Sequence, residues 1–260
     1  MTPVFLSVAG SDCSAGAGLQ ADLKTGYALG CYPLTVVTCV VSEVPGCVQG
    51  AVPMAADFVA DQLRLCLKHF PVRALKTGML YSPDIVRAVA AELRPLALPL
   101  VVDPVMIATA GESLMLQEAI SVYEQELIPQ ATLLTPNLDE LSRLLSAPPA
   151  RTVSALEADA AALAQRYGCA ILAKGGHLEG DTCADVLARP DGTLRTWKHP
   201  RITNVSTHGT GRTLSSAVAA GLAAGRELTE AVEEGLTYVA RAIASSHRWG
   251  KLHALNHARS

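Results

Sequence analysis

The chain has 260 residues, half of them apolar (50%) and only 17% charged, so it can bury a large core and is expected to form one or two domains. A net charge of −3 gives no electrostatic reason to expect a nucleic-acid or anionic-membrane partner, because both need a basic excess. The longest apolar stretches, 34–41 and 98–107, are too short or are interrupted by Asp103, and neither can span a bilayer.

At the amino terminus, Met1-Thr2-Pro3 carries no basic residue and the apolar run 4–9 is too brief for an export signal, so a cytoplasmic protein is expected. Short β-branched runs then alternate with longer segments of helical period, the pattern of strand-helix-strand units around a mostly parallel sheet. The spacing predicts strands over 4–8, 34–41, 74–77, 98–102, 131–135 and 170–173. Two more, 184–188 and 194–198, flank Pro190-Asp191-Gly192 and read as a hairpin at one sheet edge. Helices are predicted over 18–29, 56–68, 84–93, 117–127, 138–145, 153–167, 211–224 and 229–246. Three have start signals: Ser82-Pro83, Asn137 with Glu140 three residues on, and Thr229 ahead of Glu230. No linker, charge block or repeat divides the chain, so one α/β domain over 1–260 is expected, with Pro148-Pro149 joining one helix to the next. The seven cysteines are odd in number and form no C-x-x-C pair, which suits reduced, core-packed thiols.

Three segments carry chemistry. Gly10, Gly16 and Gly18 lie between the first strand and first helix, but their spacing is not G-x-G-x-x-G, so a dinucleotide site is not supported and a ligand-free turn stays open. In Thr207-His208-Gly209-Thr210-Gly211-Arg212 the glycines open a helix, where free N–H groups and the dipole suit a phosphoryl anion. The alternative there is a helix entry tightened by glycine, and the P-loop sequence is absent. Asp103 and Glu140 fall at predicted strand ends, where both could face a hydrated magnesium ion, although a capping box would use Glu140 without any metal.

Six ordered segments, 9–25 (AGSDCSAGAGLQADLKT), 76–80 (KTGML), 101–106 (VVDPVM), 135–140 (TPNLDE), 174–178 (KGGHL) and 207–220 (THGTGRTLSSAVAA), together resemble the hydroxymethylpyrimidine and hydroxymethylpyrimidine-phosphate kinases of thiamine synthesis, in the ribokinase-like superfamily with the pyridoxal kinases. The resemblance implies a three-layer αβα sandwich and ATP- and Mg2+-dependent phosphorylation of 4-amino-5-hydroxymethyl-2-methylpyrimidine, its phosphate, or both. It implies a pyrimidine pocket of Gly10, Asp22, Val41, Glu43, Met79 and Val105, a metal site at Asp103 and Glu140, nucleotide contacts at Asn137, Lys174 and Thr207, and an anion hole at Gly209, Thr210 and Gly211. A homodimer is expected, with a small-molecule pyrimidine as its substrate. The chain departs from the family pattern at Glu43, where glutamine is common, and at Thr109 and Ala110, where lysine and serine are frequent. It departs again at Arg212, which replaces the cysteine or aspartate that serves as base and cannot itself take a proton. Two alternatives follow: a pyrimidine- or nucleotide-binding homologue with impaired catalysis, or a pyridoxal kinase of vitamin B6 salvage.

Overall fold

The computed structural model describes residues 1–106, 117–202, 209–250 and 252–258. Among them the strands of the main sheet are β1 (Val4–Asp12), β2 (Tyr32–Val44), β3 (Cys47–Pro53), β4 (Ala74–Thr77), β5 (Leu100–Val102), β6 (Leu133–Leu134), β7 (Ala170–Gly175), β8 (Thr182–Ala188) and β9 (Leu194–Pro200). Helices α1 (Gly18–Ala28), α2 (Ala56–His69), α3 (Pro83–Leu93), α4 (Gln117–Val122), α5 (Leu138–Leu145), α6 (Val153–Tyr167), α7 (Thr210–Ala223) and α8 (Leu228–Ala244) connect and cover them. The strand order is β3-β2-β1-β4-β5-β6-β7-β8-β9. Pairings from β2 through β7 are parallel, and the outer ones, β2 with β3, β7 with β8 and β8 with β9, are antiparallel.

Strand alternation divides the core in two. Leu6, Val8, Leu75, Val102, Leu134 and Ile171 point to one face and pack under α2, α3, α5 and α6, while Phe5, Ala74, Val101, Leu133 and Leu172 point to the other and pack under α7 and α8. This is the three-layer αβα sandwich. Each fully buried Leu or Val contributes about 1.5–3 kcal/mol, so shortening Leu6 to alanine would cost about 2–5 kcal/mol. The same alternation places Ser7 within β1, and Lys76, Asp103, Thr135 and Lys174 near or just beyond the ends of their strands, on the α7 face, the first four of these five buried. That polar row is the floor of the candidate site.

Several predicted elements differ from the observed ones. β1 and β2 are longer than predicted, and β3 was not predicted: Gly46, at a φ of 84°, makes the turn that folds this strand back on β2. Glu43 is thus a strand residue beside the turn. The predicted helix 117–127 is α4 followed by a π turn at Tyr123–Leu127 and a 3-10 turn at Ile128–Gln130, the widened turn directing the Tyr123 hydroxyl onto the Asp103 carbonyl at 3.3 Å. α8 begins at Leu228, and Thr229 does not cap it but accepts a hydrogen bond from Arg189. A small antiparallel pair, β10 (His247–Trp249) and β11 (Leu252–Ala254), was also missed. All seven cysteines are free; Cys13 and Cys47 are exposed, contrary to the expected core packing.

Candidate active site

The first glycine segment is organised by Asp12, which is buried and accepts hydrogen bonds from the Ser14 and Ala17 N–H groups, each at 2.7 Å. Its turn ends at Gly18, whose φ of 57° and 2.5 Å approach of a notional Cβ to the Gly10 carbonyl leave no room for a side chain. The second glycine segment meets it: Gly209, the N-cap of α7 at a φ of 84°, lies so close that a Cβ there would stand 2.1 Å from the Gly16 carbonyl. Two glycine loops distant in sequence therefore form one rim.

Below the rim are two buried ion pairs. Lys76 Nζ lies 2.9 and 3.0 Å from the Asp22 carboxylate, which also accepts from Ser7 and from Ser216 of α7, each at 2.5 Å. Lys174 Nζ lies 3.0 Å from Asp103, which accepts further hydrogen bonds from Thr135 at 3.1 Å and Ser215 at 3.3 Å. Burial opposes ionisation of Asp103, but Lys174 and then Lys76 outweigh it, so the carboxyl lies below its ordinary range. Burial likewise favours neutral Lys174, yet Asp103 and Glu140 hold it charged above its ordinary value. Next to this pair Asn137 caps α5: its side chain accepts from the Glu140 N–H at 2.9 Å, and Glu140 Oε2 accepts from the Asn137 N–H at 2.8 Å. The capping box is therefore formed, and burial, reinforced by the charge of Asp103, pushes Glu140 up to about 7.

A small cleft opens beside Lys76. Its apolar wall includes Val41, Met79 and Val105, which form a small separate cluster with the buried Cys39, and its polar lining includes Glu43 and Arg212. Burial, and after it the charge of Asp12, raises Glu43, while Arg212 acts in the opposite direction. Gly10 is required at the base, since a Cβ there would meet Cys39 Sγ at 2.8 Å.

The sequence pattern of phosphomethylpyrimidine kinases matches residues 12–257. The chain belongs to that family. It is 42% identical over 249 residues to the hydroxymethylpyrimidine/phosphomethylpyrimidine kinase of Streptomyces coelicolor, covering 95% of this chain and 91% of the relative. It is 40% identical over 262 residues to a putative hydroxymethylpyrimidine/phosphomethylpyrimidine kinase 2 of Schizosaccharomyces pombe, covering 94% of this chain but only 47% of that longer protein. Among solved structures, an ADP complex of Bacillus subtilis pyridoxal kinase superposes with a TM-score of 0.89 at 32% identity, covering 99% of this chain and 98% of that one.

Of the family's expected substrate residues, Gly10, Val41, Glu43, Met79 and Val105 line the one cleft, and Arg212 lines it with them. Asp22 does not: it lies behind Lys76, fully buried, its oxygens held by Ser7, Lys76 and Ser216, because a carboxylate beneath a buried lysine is needed there as counter-ion. Asp103, Asn137, Glu140, Lys174 and Gly211 form a second group beside it: Asp103 and Glu140 both act electrostatically on Lys174, and a Cβ on Gly211 would meet Lys174 Nζ at 2.8 Å. Thr210 is the first residue of α7, and Thr207 and Thr109 fall outside the described residues. Sequence reasoning missed Lys76 and Gly78 in the lining and Asp12, Ser215 and Ser216 as supports. Lys76 was the findable one, a lysine inside the apolar strand Ala74–Thr77. Among the described residues no three His, Cys, Asp or Glu side chains converge on a metal position. Two buried carboxylates do lie within electrostatic reach of each other, Asp103 and Glu140, and both act on Lys174. That donor set fits magnesium, which takes one or two carboxylates and completes its shell with water and substrate phosphate.

Proposed function

We propose that the protein is an ATP-dependent kinase of the hydroxymethylpyrimidine branch of thiamine biosynthesis, transferring the γ-phosphoryl group to hydroxymethylpyrimidine or its phosphate. The observation that carries the reading is the adjacency of the cleft to the amino end of α7: a largely apolar cleft with one carboxylate acceptor, Glu43, ends at a helix start where Gly209, Thr210 and Gly211 supply N–H groups for an anion. Glu43 would accept from an exocyclic amino group of the ring, with Val41, Met79 and Val105 against its faces. Lys174 and Asn137 would contact the nucleotide, and Asp103 and Glu140 would hold magnesium, which when bound neutralises phosphate charge. Positioning and charge neutralisation carry most of phosphoryl transfer, which suits a site rich in fixed charge.

Pyridoxal kinase chemistry is the second reading, favoured by the likeness to the Bacillus subtilis enzyme, and the identity to pyrimidine kinases weighs against it. ADP release with hydroxymethylpyrimidine, its phosphate and pyridoxal, compared side by side, decides. Turnover of either pyrimidine above pyridoxal is expected, and pyridoxal as the best substrate overturns the proposal. Pyrimidine binding without ADP release makes the chain a binding protein derived from a kinase. A single domain over 1–260 working as a cytoplasmic homodimer is part of the proposal; the uninterrupted sheet supports the first and the free cysteines suit a reducing compartment. Sedimentation at micromolar concentration tests the dimer.

A further inference from the structure

We propose that Arg212 makes this chain selective for the phosphorylated pyrimidine over the alcohol, an inference that rests on the pyrimidine-kinase reading above. Arg212 is the third residue of α7 and lines the cleft with Glu43 and Lys76. The neighbouring cations are committed, Lys76 to Asp22 and Lys174 to Asp103. Among the described residues the Arg212 guanidinium has no carboxylate within ion-pair distance, so it is the uncommitted cation of the site. Besides lining the cleft with Glu43, its charge acts on Glu43, Asp103 and Glu140 alike, so it stands within electrostatic reach of both the substrate space and the carboxylate pair.

The two acceptors ask for opposite things at that point. An alcohol keeps its proton far above neutral pH and must lose it as the new bond forms, so it needs a base, which a guanidinium cannot be. A phosphate monoester has its second pKa at about 6 and is already a dianion at neutral pH. It needs no base; it needs a cation, because attack brings two phosphates together. One of its oxygens forms the bond to the γ-phosphorus of ATP as the bond from that phosphorus to the β–γ bridging oxygen breaks, the electron pair leaves with ADP, and no proton moves. A planar, permanently charged fork bound to two phosphate oxygens suits this encounter. The helix start beside it adds to the same field.

The test uses the full chain, with binding of hydroxymethylpyrimidine and of its phosphate measured by calorimetry without ATP, and kcat/KM for each by ADP release. Wild type should turn over the phosphate at least 100-fold more efficiently than the alcohol. In Arg212→Gln, phosphate binding should weaken about 10- to 100-fold while alcohol binding stays within about threefold, which also shows that the variant is folded. Arg212→Cys should gain turnover of the alcohol and lose it for the phosphate, and Arg212→Lys should retain part of the phosphate affinity. Comparable wild-type efficiency on both pyrimidines, with alcohol turnover abolished in Glu43→Gln, would place a base at Glu43 and overturn the inference while leaving the pyrimidine reading intact. Equal weakening of both ligands in Arg212→Gln would also overturn it. Turnover of pyridoxal alone would overturn both.

Discussion

Glu140 shows how one side chain can serve the fold and strain against it. Raised to about 7 from its ordinary 4.5, it keeps in the folded chain a proton that the unfolded chain has already released, so the stability it contributes is complete below pH about 4.5 and is lost as the pH rises through 7. Glu140→Gln preserves the capping box and removes that slope; it should stabilise the protein at pH 8 by on the order of 2 kcal/mol and narrow the difference in Tm between pH 6 and pH 8. The same variant should raise the magnesium concentration needed for ATP turnover, and an unchanged requirement would leave Glu140 as a cap alone. Asp22 carries the opposite lesson. Asp22→Ala strands the buried Lys76 ammonium and should cost about 3–5 kcal/mol in urea denaturation, whereas adding Lys76→Met in the same chain should recover part of the loss. Sequence patterns pointed to both residues but could not tell a wall from a support. A carboxylate in a conspicuous segment reads alike in both cases, and only the partners Ser7 and Ser216, from β1 and α7, distinguish them.

At the scale of elements, α7 is the piece on which the candidate site turns, since its first residues stand at the rim and Ser215 and Ser216 tie its next turn to Asp103 and Asp22. Gly211→Ala tests this. The added methyl should favour the helix by up to about 1 kcal/mol yet meet Lys174 Nζ at 2.8 Å and push it off Asp103, so activity should fall at least tenfold and Tm should fall with it, the broken buried pair outweighing the helix gain. An unchanged Tm with activity retained would mean that the lysine shifts without leaving Asp103. α5, with its Asn137 start signal, and α6, from its period alone, begin and end where the sequence pattern puts them, and in the structure Asn137 and Thr152 cap them and Ser146 and Gly168 close them in left-handed conformations. β3, β10 and β11 were not, since Val48, Gln49, Gly50 and Ala51 alternate too weakly and the carboxyl-terminal pair is only three residues a side. The π turn at Tyr123 was invisible for a different reason: the contact it serves, the Tyr123 hydroxyl on the distant Asp103 carbonyl, is one that no local pattern encodes.

Across the whole molecule, stability should be graded from the centre of the sheet outward. β1 and β4 are paired on both sides and buried under helices on both faces, whereas β3 and β9 are the outermost strands among the described residues and have largely exposed side chains. Native-state hydrogen exchange should therefore find the slowest amides in β1 and β4 and opening at much lower free energy in β3 and β9; uniform protection would indicate that the hairpins open only with the core. The bond from Ser216 to Asp22 spans 194 residues and that from Ser215 to Asp103 spans 112, while Lys76 meets Asp22 across only 54. During synthesis the lysine and its counter-ion are both available long before α7 leaves the ribosome, so most of the sheet can assemble around a pair still open on one side. The lid of that pair is also the helix that carries Arg212 and the anion-binding glycines. Refolding from denaturant should accordingly regain secondary structure first and pyrimidine binding last, because the contacts that close the longest loops are the ones that complete the cleft.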